Sequence, residues 1–294
     1  MPGQVTAVEV IRQSEQGVSV RPFLVRGDDG NRYFVKGLHR AGGPSLISEV
    51  IAAELGGCLG LPIPDWRIMD IPQALIDFSP IDNIHDLSGG PAFASLQIEN
   101  ASELMWAGVQ KIPVELRRKV LVFDWWVQNG DRSLGENGGN VNLLLDSQGN
   151  LVVIDHNAAF DATLTAEQFG TYHVFRDQLS HLHDLVTRQE YGRSLDAALM
   201  HWDRISALLP VEWIYRDRDE IDETIPTGLK RCISSGTNAS GGSYELLLQL
   251  LDNPIPALPR NRRIREYRSG SSGQQRRISL QNRNEAPTGN PVFP

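Results

Sequence analysis

Cysteine is scarce: there are two in 294 residues, Cys58 and Cys232. Two thiols make neither a disulfide framework nor a metal-ligand cluster, and they fit a reducing cytosol. Long apolar runs are missing as well. No stretch approaches the roughly 18 consecutive apolar residues that a membrane helix needs. The start of the chain has no basic segment leading into an apolar one, so no signal peptide is expected. These absences predict a cytoplasmic protein without membrane contact. Positive charge is also short, at a net −8. From 259 to 294 there are eight arginines against Glu266 and Glu285. That leaves about −14 on the rest, an acidic body that argues against nucleic-acid binding through a broad basic face.

What is present is an ordinary globular composition, 40% hydrophobic and 22% charged, over a length that suits two lobes of one large domain. The first third reads as strands at 5–10, 18–25 and 32–37, with the Asp-Gly turn of 26–31 making an antiparallel hairpin. A helix is expected at 45–57, followed by strands at 66–71 and 91–98. From about Ser102 the pattern turns helical, and 114–128 reads as a buried helix carrying Trp125 and Trp126 in the core. A polar loop at 129–140 follows. Two short apolar runs, 141–145 and 151–154, flank a turn-forming stretch and read as a hairpin. Further helices are expected at 166–169, 177–189, 194–209 and 243–251. From about 254 the chain loses periodicity and reads as disordered. The expected division is a nucleotide lobe at 1–100, a helical lobe at 101–255 and a basic tail at 256–294. The fold class is a two-lobe α+β arrangement.

The chemistry concentrates in NGDRSLGENGGNVNLLL followed by LVVIDHNAAF. Asp131 lies in the polar loop, Asn140 and Asn142 open the hairpin, and Asp155 stands at its exit. Phosphoryl transfer needs a carboxylate to orient or deprotonate the attacking hydroxyl and oxygen ligands for Mg²⁺ bridging the phosphates. An Asp, an Asn and a second Asp across a hairpin supply those groups. The hairpin sets Asn140 and Asp155 beside each other although they are 15 residues apart in the chain. Asn137 competes with Asn140. His181 and His183 have no third ligand near them and read as surface residues.

The ordered motif FDWWVQNGDR…GGNVNLLL…LVVIDHNAAF resembles the catalytic segment of the HipA-like kinases, and most narrowly the compact bacterial proteins with such a domain. RPFLVRGDDGNRYFVKG resembles that family's nucleotide-lobe hairpin, and SLISEVIAAELGGCLGLPIPDW its next helix and LGLP element. The resemblance covers about residues 5–160 and implies a protein-kinase-like fold with ATP and Mg²⁺ as cofactors. It implies Lys36 on the ATP α/β-phosphates and Glu49 orienting it, with Glu54 as the competing carboxylate. It implies Asp131 as catalytic base, Arg132 as its support in the loop, and Asn140 and Asp155 as Mg²⁺ ligands. Ser19 and Arg21 would lie on the loop covering the phosphates. The sequence departs from the pattern in three places. There is no G-x-G-x-x-G, Asp155-His156-Asn157 replaces D-F-G, and Leu134–Gly139 reads as an insertion ahead of Asn140.

The resemblance implies transfer of the γ-phosphate to a protein Ser or Thr, and a possible antitoxin-like partner, since some relatives act in toxin–antitoxin systems. Gly130-Asp131…Asn140…Ile154-Asp155 also matches the aminoglycoside and choline phosphotransferases, whose cationic substrates would suit an acidic body. A catalytically inactive nucleotide-binding module is the third reading. Arg276-Arg277-Ile278-Ser279 resembles a site for basophilic kinases.

Overall fold

The computed structural model describes residues 4–15, 20–135, 138–215, 226, 228 and 229. Ser19, Asn137, the expected helix at 243–251 and the arginine-rich end lie outside the described residues.

Five strands form the first element of the fold: β1 (Val5–Gln13), β2 (Phe23–Gly27), β3 (Arg32–Lys36), β4 (Trp66–Ile71) and β5 (Gly90–Leu96). They run in the order β1-β2-β3-β5-β4 and close on themselves as a barrel. The expected antiparallel arrangement thus closes on itself, with one parallel pair. Four pairings are antiparallel, but β1 meets β4 in parallel through Val5↔Met69 and Thr6↔Asp70. Register shifts at Ala7/Glu9 and Val10/Arg12 break the β1–β2 ladder, and such bulges bend a strand enough to bring its end round to a distant partner.

Alternation explains the interior. Val5 and Ala7, Phe23 and Val25, Tyr33 and Val35, Met69 and Ile71, Ala92 and Ala94 are the inward pairs, one from each strand, and all are buried. Lys36 follows Val35, so its side chain leaves β3 on the opposite face. Gly37 must follow it: a Cβ there would sit 1.6 Å from the main-chain oxygen of Leu87.

Against that outer face runs α2 (Gly43–Cys58), preceded by the single turn α1 (Leu38–Ala41). The strand-rich part thus carries more than the one helix expected, because α3 (Gln73–Asp77) also follows β4. Nor is α2 amphipathic: residues 46–53 are buried without a break, Ser48 and Glu49 included. A helix apolar all round is a core helix. Its residues join one apolar cluster with Trp66 and Phe93 from the outer barrel face and with the helices that follow.

A short strand, β6 (Ser102–Glu103), stands where helix was expected and pairs with β7 (Leu143–Leu145), which pairs with β8 (Leu151–Val153). The expected hairpin therefore belongs to a three-stranded sheet. Its turn is built on Asp146, whose carboxylate accepts the main-chain N–H groups of Gln148 and Asn150, both at 2.8 Å. α4 (Val114–Trp126) is the buried helix, with Trp126 fully and Trp125 nearly inaccessible. It stops short of 128 because Gln128 has φ 52°, which turns the chain into the loop.

Beyond the hairpin come α5 (Ala166–Tyr172), α6 (Leu185–Leu199), α7 (Trp202–Ser206) and α8 (Val211–Ile214). The expected helix at 177–189 is split. Residues 176–183 wind as a 3-10 helix, and Asp184 caps α6 by accepting the N–H of Thr187 at 2.7 Å. Among the described residues, no helix is long and apolar enough to cross a membrane.

Candidate active site

The geometry of β3 and α2 decides the first contact. Lys36 leaves the outer face of β3 and Glu49 projects from the second turn of α2. Lys36 Nζ lies 2.6 Å from Glu49 Oε1. The same ammonium lies 2.7 Å from Asp155 Oδ1, across 119 residues of sequence. Glu49 Oε2 accepts the main-chain N–H of His156 at 2.9 Å. One buried carboxylate thus holds both the lysine and the segment after Asp155. Glu54, the competing carboxylate, points elsewhere and pairs with Arg204 at 2.7 Å.

Asp155 reaches this point through an unusual backbone. Its φ is 57°, and Asn142, which pairs with the preceding Ile154, has φ 48°. Non-glycine residues held there are uncommon and gather at functional sites where the surroundings enforce them. The enforcement is visible: Ile154 donates to Asn142 O at 3.2 Å, and Ser48 Oγ donates to Ala159 O at 3.1 Å, tying the segment to α2.

Burial alone would push the Lys36 ammonium down, but Glu49 and Asp155 outweigh it and hold it raised, hence charged. Burial raises Glu49 more than Lys36 lowers it. Asp155 also feels burial, yet Lys36 and its hydrogen bond bring it below the ordinary range. His156, wholly enclosed and near Arg132, is pushed down to about 3 and is neutral.

Asp131 forms the other side of the site. Asn140 Nδ2 donates to its Oδ2 at 2.7 Å, and Asn142 Nδ2 donates to its main-chain oxygen at 2.9 Å and to Oδ2 at 3.3 Å. Both asparagines therefore stand at Asp131, and neither is hydrogen-bonded to Asp155. Asn142, which the resemblance does not include among the metal ligands, is as much part of the site. The insertion doubles back on itself, with Gly135 and Gly138 exchanging main-chain hydrogen bonds at 3.1 Å and Ser133 N–H reaching Asn140 O at 2.7 Å. That closure requires glycine at 139, where a Cβ would lie 2.4 Å from Ser133 O. It carries the chain from Asp131 back to Asn140, so the longer spacing does not separate them.

Arg132 is inaccessible. Its Nε donates to Asp124 Oδ2 at 2.7 Å, and its Nη1 donates to Asn142 O and, at 3.3 Å, to Ile154 O. His173 Nε2 sits 2.9 Å from the same Asp124 oxygen. Burial would raise Asp124, but Arg132 and His173 keep it lowered and ionised. Sequence reasoning missed Asp124 and His173. Asp124 carried a signal, being a carboxylate inside the apolar run LVFDWWV, where a buried charge must find a partner. His173 carried none.

Arg21 is exposed ahead of β2, and the bonds of the Lys36–Glu49–Asp155 group do not include it. His181 and His183 are exposed, with Leu182 buried between them.

The donor set can be tested against Mg²⁺ and ATP. Oδ2 of Asp155 and Oδ1 of Asn140 and Asn142 receive no hydrogen bond from the described residues. Hard oxygen donors of this kind suit Mg²⁺. Among the described residues no three His, Cys, Asp or Glu side chains gather as a closed metal cage. One carboxylate oxygen and two amide oxygens, completed by oxygens of a phosphate chain, are the donor chemistry that Mg²⁺ takes.

The sequence matches the family model described as HipA-like kinase over residues 7–234. Among solved structures it is similar to a proinflammatory kinase of Helicobacter pylori, CtkA. That match has 11% identity and a TM-score of 0.37, covering 82% of this chain and 96% of that one. It is also similar to the open conformation of CtTel1. There the identity is 16% and the TM-score 0.26, over 82% of this chain and 12% of that one. No curated protein matches the chain.

Proposed function

The chain belongs to the HipA-like kinase family, and from that premise we propose that it is a Mg-ATP-dependent kinase of protein-kinase-like, two-lobe fold that phosphorylates a protein Ser or Thr hydroxyl. One observation carries the reading: a single buried ammonium, Lys36 Nζ, joins Glu49 of α2 to Asp155 of the hairpin exit at 2.6 and 2.7 Å. A strand lysine fixed by a helix carboxylate beside an Asp able to bind metal is the arrangement that protein kinases use for phosphoryl transfer.

In this reading Asp155 and Asn140, with Asn142 alongside, would hold Mg²⁺, whose charge offsets that of the phosphates when bound. Lys36 binds phosphate oxygens and is kept cationic by its two carboxylates. Glu49 keeps Lys36 in place and anchors His156. Asp131 faces the acceptor hydroxyl, orients it and takes its proton, and the asparagine amides on Oδ2 aim the carboxylate. Arg132 supports the loop that carries Asp131 through its bonds to Asp124 and to Asn142 O. An acidic body favours a second acceptor class, a cationic small molecule.

The test uses γ-labelled ATP and Mg²⁺ with the purified chain, alone and with a cell lysate. Label on protein supports the reading, and label confined to small molecules supports the second. Asp155→Ala should lose both Mg-dependent ATP binding and transfer. Wild-type labelling by that variant would overturn the site.

A further inference from the structure

The two sides of the site, Asp131 and Asp155, sit on separate elements, and their spacing must be set by something. Arg132 links the two through its neighbours. It adjoins Asp131 in the chain, and its Nη1 is bonded to the carbonyl of Ile154, immediately before Asp155, and to that of Asn142, which pairs with Ile154. We infer that Asp124 and His173 act with Arg132 as a positioning cluster that spaces Asp131 from Asp155.

Every member is fixed on more than one side. Asp124 Oδ2 accepts from Arg132 Nε at 2.7 Å and meets His173 Nε2 at 2.9 Å, while Oδ1 accepts from Asn129 Nδ2 at 3.1 Å. Asn129 Oδ1 in turn accepts the N–H of Asp131 at 3.2 Å, a second route from Asp124 to the base. The tautomer of His173 follows from its neighbours. Phe175 N–H donates to Nδ1 at 3.1 Å, so the ring proton sits on Nε2 and is given to Asp124. The main chain adds a third tie, Val174 N–H to Arg132 O at 3.0 Å.

Stability does not explain such a cluster. Asp124 and Arg132 are wholly inaccessible, and a buried ion pair is commonly matched or bettered by packed apolar residues. What an apolar replacement cannot do is hold two carbonyls of the hairpin and a main-chain amide of the loop at defined directions. Asp124 and His173 touch no reacting group; they act through Arg132 and Asn129.

The kinetic arm of the test rests on the phosphotransferase reading, and the exchange arm does not. Hydrogen–deuterium exchange of the full chain and steady-state Mg-ATP turnover are measured for His173→Leu and His173→Gln. Glutamine keeps an N–H able to reach Asp124, and leucine keeps only bulk. In His173→Leu, exchange should rise together in 129–135 and in 153–157, and kcat should fall about 100-fold with KM for ATP within about threefold. His173→Gln should restore protection and most of the rate. If His173→Leu does not fold, Arg132→Lys, which keeps the charge but loses the fork, should give the same paired loss. Faster exchange confined to 169–176, an unchanged kcat per folded molecule, or a glutamine variant no better than leucine would each overturn the inference. Absence of any ATP turnover by the wild type would refute the kinase reading, and the exchange pattern would still decide whether the cluster spaces the two segments.

Discussion

Replacing Lys36 by methionine probes the site without removing bulk. At 2.6 and 2.7 Å each ion pair is worth about 6 kcal/mol of attraction at an effective dielectric of about 20. Desolvation of three charged groups offsets most of that, so the pairs themselves add little net stability. Removing the cation alone is different. Glu49 and Asp155 then remain, 2% and 29% exposed, as two carboxylates with no counter-charge. Breaking a buried pair this way typically costs about 3–5 kcal/mol. The loss should depend on pH. Burial already raises Glu49 in the presence of Lys36, and without it the rise is larger. A carboxyl whose folded pKa is raised binds a proton that the unfolded chain has released, so its contribution is present at low pH and lost as pH climbs through the folded value. Lys36→Met should therefore be worst at about pH 8 and recover toward about pH 5, by up to roughly 1.4 kcal/mol per pH unit. Adding Glu49→Gln removes one of the two orphaned charges and should regain about 2 kcal/mol at the higher pH. Urea denaturation of the wild type, both single variants and the double variant at several pH values reads every term. A Lys36→Met variant within about 1 kcal/mol of wild type at high pH, with the wild-type pH slope and no rescue by Glu49→Gln, would refute the reasoning.

Other outcomes are expected on the same grounds. Asp131→Asn should leave ATP binding nearly intact by calorimetry while cutting the transfer rate about 10²- to 10⁴-fold, since a base acts mainly on the transition state. Gly37→Ala should destabilise by about 3 kcal/mol or more in chemical denaturation, because its new methyl meets the backbone of Leu87 rather than a side chain that can move. His156 and His173 are both lowered by burial, so the unfolded chain binds protons that the folded chain refuses. Their contribution is present above about pH 6.5 and is lost as pH falls below it. His156→Gln should flatten that acid limb in urea titrations.

Much of this was readable from the sequence wherever the signal is local. The strand at 66–71 stands at those bounds, and the Asp-Gly turn, the Asp146 turn and Lys36 at the end of β3 follow from chain-local rules. The Asp184 cap went unread, since the helix expected at 177–189 runs straight through it. Barrel closure went unread as well. It rests on two residues of β1 meeting β4 more than sixty positions later, and no periodicity encodes such a pairing. β6 was missed for the same reason, since two residues become a strand only because β7 passes beside them. Asp131, Asn140 and Asp155 could be proposed together because a hairpin relates them. Asp124 and His173 lie 49 residues apart, and what joins them is packing.

The burial of α2 bears on how this protein can be divided. Its apolar surface is shared with the helices after residue 100 rather than with the barrel interior. A fragment ending at residue 100 would keep the whole barrel yet strip α2 of its cover and Lys36 of one of its two carboxylates. Such a piece should be prone to self-association when expressed alone, and co-expression with the remainder should recover it as a non-covalent complex. The boundary drawn by function is thus a poor place to cut, and the seam lies within the apolar cluster that the two parts share.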